Sequence, residues 1–179
     1  MHYFWVPFLP MFGIIVPLLA NKLNRSACTL ATALLPALAL CLIFLDLPAV
    51  LDGESFSKSI EWIPQLGLSL SFRLDGLAAL FSILILGIGL LVILYARYYL
   101  SEKDHMGRFY CYLIMFMTAM LGIVMSNNML QLWFYWELTS ISSFLLIGFW
   151  SHNRDARKGA RMALTITGAG GLALLAGII

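Results

Sequence analysis

Leu130-Gln131-Leu132-Trp133-Phe134-Tyr135-Trp136-Glu137-Leu138-Thr139-Ser140-Ile141-Ser142-Ser143-Phe144-Leu145-Leu146-Ile147-Gly148-Phe149 is the stretch on which the reading of this chain turns. It is long and apolar enough to be a transmembrane helix, which takes about 20 residues. Yet one carboxylate, Glu137, sits close to its middle. A charge there costs about 2.5–3.5 kcal/mol on insertion scales, so it is rarely left without a partner or a purpose. Every other Asp, Glu, Lys and Arg can be placed at a membrane edge or in a loop.

The composition around that stretch agrees. Of 179 residues, 61% are hydrophobic and only 11% are charged. A soluble domain carries about 25% charged residues, so this is the composition of an integral membrane protein. The N-terminus lacks a basic n-region and a small-residue cleavage site, so its first apolar run is expected to stay as a span. The three cysteines, Cys28, Cys41 and Cys111, are widely spaced and lie in or beside apolar runs. They read as small apolar fillers rather than a disulfide or metal framework.

Working outward, the spacing predicts an all-α membrane protein of about six spans with an external β-hairpin. The spans run over about 3–20, 27–45, 76–95, 109–125, 129–150 and 162–179. Pro7, Pro10 and Pro17 predict a kinked first span. Asn21 to Ser26 reads as a short basic turn. Between about 52 and 74 the pattern changes to period two. Ser55, Ser57, Ser59 and Glu61 alternate with Phe56, Lys58, Ile60 and Trp62. Leu68, Leu70, Phe72 and Leu74 then alternate with Ser69, Ser71, Arg73 and Asp75. Two such runs around Pro64 and Gly67 predict a hairpin outside the bilayer. The sixth apolar run is still apolar at Ile179, which reads as the front piece of a longer chain.

Charge fixes an expected orientation. The turns after spans one, three and five hold Lys22, Arg25, Arg97, Lys103, Arg108, Arg154, Arg157, Lys158 and Arg161, against only Lys58 and Arg73 in the hairpin region. The positive-inside rule then places the N-terminus and hairpin outside. The basic loop near Arg154 needs no nucleic acid to explain it, because a juxtamembrane position suffices. His105 and His152 read as solvated loop residues.

Glu137 is the candidate site. At 100° per residue, Ser140 and Ser143 share its half of the helix, and their hydroxyls could bond a carboxyl or hold water beside it. Burial favours the neutral carboxyl and a nearby cation the charged one, so a group poised between them can load and release a proton. The competing reading is a structural ion pair, whose cation would have to come from outside these spans. The run Thr165, Thr167, Gly168, Ala169, Gly170, Gly171, Ala173 follows no strand, so it reads as close helix packing in lipid and not as a phosphate loop.

Several strings together resemble the A subunits of Mrp-type multisubunit sodium/proton antiporters. They are Trp62-Ile63-Pro64-Gln65-Leu66-Gly67, Ser71-Phe72-Arg73-Leu74-Asp75-Gly76-Leu77 and Gly107-Arg108-Phe109-Tyr110. The most specific are Phe134 to Gly148 and Ala156-Arg157-Lys158-Gly159-Ala160-Arg161. The wider family includes proton-pumping membrane subunits of respiratory complex I and of membrane-bound hydrogenases. The resemblance implies that Glu137 matches a fifth-helix glutamate that takes part in proton transfer with a lysine on a later helix. It implies a multi-pass subunit of the cell inner (plasma) membrane, with sister membrane subunits and the lipid bilayer as partners. The work implied is exchange of Na+ for H+, with no cofactor, no metal site and no enzymatic activity. The alternatives are a proton-pumping subunit of a redox complex and a non-conducting membrane scaffold.

Overall fold

The computed structural model describes residues 2–20, 24–63, 68–102 and 104–179. Lys22, Lys103 and the expected hairpin turn around Pro64 and Gly67 lie outside the described residues, as do Asn21 and Leu23 of the basic turn. The chain is mostly helical with one two-stranded hairpin.

The first expected span is not one helix. It divides into a 3-10 turn at Tyr3–Trp5, α1 at Phe8–Phe12 and α2 at Val16–Ala20. Pro7 stands at the N-cap of α1, and Pro10 and Pro17 fall in the first turns of α1 and α2. A proline lacks an N–H and is accepted where no intrahelical bond is needed, so Pro7 and Pro17 mark the restarts and Pro10 fits within the first turn of α1. Tyr3 N donates to Asp46 Oδ2 at 3.1 Å and ties this broken segment to the long helix that follows.

That helix, α3, spans Arg25–Leu51 and carries Pro36 and Pro48 inside it. It stops where Gly53 adopts φ 90°. The Glu54 amide then reaches back to the Ala49 carbonyl at 3.1 Å, a left-handed C-terminal closure that glycine makes without strain. The strands β1 (Phe56–Ile63) and β2 (Leu68–Leu74) pair antiparallel, with Phe56 opposite Leu74 and Ser59 opposite Ser71. Phe72 and Leu74 are fully buried, as the alternation predicts.

Four helices follow. α4 is Gly76–Tyr99, α5 Met106–Met125, α6 Met129–Ile147 and α7 Arg154–Ile178. Asp75, Asn128 and Asn153 cap α4, α6 and α7 through side-chain oxygens. Because Asn153 caps so early, Arg154, Arg157, Lys158 and Arg161 lie on the first turns of α7 rather than in a loop. Among the described residues α3, α4, α5 and α7 are long and apolar enough to cross a membrane. α6 is not among them. Gln131, Glu137, Thr139 and three serines lower its apolarity, although its 19 residues rise about 28 Å.

α3 packs on α4, α4 on α5, α5 on α6, and α6 on α7. Two ends result. At one, Arg25 donates to the carbonyls of Arg97 (3.1 Å) and Leu100 (2.6 Å), and Trp150 Nε1 donates to Asp104 Oδ1 at 3.1 Å. Arg25, Arg97, Arg108 and the α7 cations gather there. The other end is the hairpin. Phe4 and Phe8 pack on Phe72 from below. The Asn127 amide donates to Ser71 O at 2.9 Å, and Gln131 Oε1 accepts from Ser71 N at 2.7 Å. Ser71 is therefore buried, against the alternation that puts it outside, because the α5–α6 turn covers the β2 edge.

Candidate functional site

Glu137 is the ninth residue of α6 and faces α7. Its Oε1 is buried and has no hydrogen-bond partner among the described residues. The carboxylate lies directly on Gly171 of α7, where a methyl group would overlap Oε1. One turn earlier on the same face, Trp133 Nε1 donates to Gly171 O at 2.9 Å. Gly171 therefore does two things. Its missing side chain makes the seat, and its carbonyl anchors the indole beside that seat.

Sequence reasoning placed Glu137 here and missed Gly171 as its contact. The small-residue run gave the signal, since it predicted close approach. Gly171 and Ala160 are the buried residues of α7, while Gly168, Gly170 and Gly177 meet nothing within 4 Å.

The supporting hydroxyls are placed differently from the expectation. Ser140 Oγ donates to Trp136 O at 3.3 Å and Ser143 Oγ to Ser140 O at 3.0 Å. Thr139 and Ser142 likewise donate to carbonyls of their own helix. These donors turn back onto the backbone, as Ser and Thr inside helices commonly do. None of them reaches Glu137. A buried acceptor left unpaired costs about 1–3 kcal/mol, so this oxygen calls for a proton, a water or a cation from elsewhere.

The charged groups outside the helices behave conventionally. Asp75 is held below the usual carboxylate range by the Ala78 amide and by Arg73, with which it forms an ion pair. Asp104 is lowered chiefly by its bonds to Ser101. Among the described residues no cluster of His, Cys, Asp or Glu could hold a metal ion.

Comparison with known proteins gives the same frame. Residues 62–110 match the family model described as NADH-ubiquinone oxidoreductase (complex I), chain 5 N-terminus. Residues 126–179 match the model described as NADH:quinone oxidoreductase/Mrp antiporter, TM. The chain is 56% identical over 132 residues to the A/B subunit of a probable K(+)/H(+) antiporter of Rhizobium meliloti, which covers 74% of this chain and 13% of that one. It is 43% identical over 172 residues to the A1 subunit of a Na(+)/H(+) antiporter of Staphylococcus aureus, covering 96% of this chain and 22% of that one. Among solved structures, the Mrp complex of a Dietzia species superimposes with a TM-score of 0.85 at 30% identity, over 98% of this chain and 19% of that chain. A membrane-bound sulfane sulfur reductase, an archaeal respiratory membrane complex, shares the fold with a TM-score of 0.79 at 19% identity, over 95% of this chain and 26% of that chain. The chain thus spans less than a quarter of the length of the curated relatives it matches.

Proposed function

The chain belongs to the Mrp antiporter and complex I family of membrane subunits, and on that premise we propose that it is the N-terminal part of a subunit that exchanges a monovalent cation for protons. Glu137 is the group that takes up and releases the proton within the membrane. One observation carries this reading. Glu137 Oε1 is buried at the middle of α6 without a partner among the described residues. An ionisable residue inside a membrane helix is by default a functional group.

In this reading α3, α4, α5, α6 and α7 cross the cell membrane. The basic ends face the cytoplasm, and the hairpin and N-terminus face outside, in keeping with the positive-inside rule. α6 crosses despite its polar residues because α5 and α7 flank it on either side. Sister membrane subunits and the remainder of the subunit complete the path. The named relatives carry Na+ or K+, and Na+ is the cation proposed here.

The test is Glu137→Gln in the full assembled complex, read as cation-dependent proton movement in membrane vesicles. The amide keeps the shape and cannot titrate. Transport per assembled complex should fall about a hundredfold, the lower end of what a positioned proton-transfer group contributes. Glu137→Asp should retain part of the activity. A wild-type rate per complex for the Gln variant would leave the scaffold reading standing instead. Residues 62–110 match a complex I model, so a redox-driven pump is the second reading. Proton movement that ignores Na+ and follows electron transfer would select it.

A further inference from the structure

At the basic end, opposite the hairpin, lies a cavity of about 220 Å³ between three helices. Arg108 and Tyr112 of α5 form one wall. Phe144 and Leu145 of α6, with Gly148 at its C-cap, form the second, and Arg157 and Arg161 of α7 form the third. No Asp or Glu lines it. Among the described residues, the ion pair present is Arg73–Asp75, at the other end of the molecule. The three guanidiniums are therefore gathered without a counter-ion. Arg108 donates to Tyr112 Oη at 3.3 Å and Arg157 to Ser151 O at 2.8 Å. These bonds use a small part of their five donors each. The Arg161 side chain has no hydrogen bond to a described residue.

We propose that this cavity is a binding site for the phosphate headgroup of an anionic phospholipid. Phosphate supplies what the three guanidiniums lack, an acceptor that several planar donor forks can share. The other walls select the source of that phosphate. Phe144, Leu145 and the Tyr112 ring offer a free phosphate ion nothing, but they give a phospholipid an apolar surface on which to lay the start of its acyl chains. The position also fits, because basic pockets between membrane helices at their cytoplasmic ends are where such headgroups bind. A lipid here would join α5 to α7 across the end of α6. The proposal does not depend on which ion the complex carries.

The test places a photo-crosslinker in the wall, Tyr112→p-benzoylphenylalanine, in the full complex. The bilayer is phosphatidylcholine with phosphatidylglycerol as the minor lipid. Mass spectrometry of the crosslinked peptide should show phosphatidylglycerol well above its share of the bilayer. Arg108→Gln, Arg157→Gln and Arg161→Gln should each lower that enrichment about fivefold, and the Lys variants should restore part of it. Since Arg161 supports no described neighbour through its side chain, Arg161→Gln keeps the experiment decisive if the others fail to assemble. Three results would overturn the proposal. They are capture of the two lipids in proportion to their abundance, capture of polypeptide, and loss of the enrichment on adding inorganic phosphate.

Discussion

α6 meets its two neighbours by the same device, to different ends. On the α5 side Gly122 leaves room for the ring of Tyr135, and on the α7 side Gly171 leaves room for the carboxylate of Glu137. The two side chains are two residues apart, so helical geometry sends them to nearly opposite faces. Tyr135 is nearly buried and also touches Phe72 of the hairpin at 6.3 Å between ring centroids. The Tyr135 ring is held at that seam by packing. Glu137, in contrast, ends in a buried oxygen without a donor. The same small-residue geometry that locks one pair of helices presents, at the other pair, an unmet chemical need. The difference lies in the side chain that meets the glycine and not in the glycine.

Substitutions on the two seams should separate these roles. The largest effect is expected from Gly122→Ala. The new methyl overlaps the Tyr135 ring, which Phe72 blocks from retreating. Overpacking of this kind costs about 1–3 kcal/mol. It should appear as a lower thermal midpoint and a lower yield of assembled complex, with transport per surviving complex unchanged. A wild-type midpoint would break the comparison.

Gly171→Ala should cost less stability, because Glu137 is a flexible side chain and only half-buried, free to swing away. Its signature is functional. Transport per complex should fall and its pH profile should move, while assembly persists. Unchanged transport would detach Gly171 from the site.

Smaller again is Trp133→Phe, which removes the 2.9 Å bond to Gly171 O. A net loss of about 0.5–1.5 kcal/mol is expected, read in the midpoint. Last comes Tyr135→Phe. The lock is made by the ring and not the hydroxyl, so the midpoint should stay within about 0.5 kcal/mol of wild type. A larger shift would show that this seam too depends on a polar group.

Much of this was legible in the residues. Glu137 stood out because an isolated charge in an apolar run has few cheap explanations. The hairpin was visible because period two needs no knowledge of what it packs against. Other features were hidden because they depend on partners distant in the chain. Ser71 reads as an outward residue of β2 until Gln131 and Asn127 are brought to it. Ser140 and Ser143 share the Glu137 half of a helical wheel, but a wheel does not show that their hydroxyls prefer their own backbone. The prolines announced a disturbed first segment. The number of pieces followed from where each proline fell within a turn, which a hydropathy window averages away.

The covered edge of β2 has a consequence in time. Ser71 and the Gln131 that accepts from its amide are 60 residues apart. At a synthesis rate of about 5–20 residues per second, the hairpin waits about 3–12 s for its cover. Over that interval the outer edge of β2 is an open template to which any passing strand can pair. β2 is short, and the Arg73–Asp75 ion pair sits at its end, which makes it a poor template for the wait. The clasp that holds the finished hairpin therefore waits until α5 and the first turn of α6 have been made.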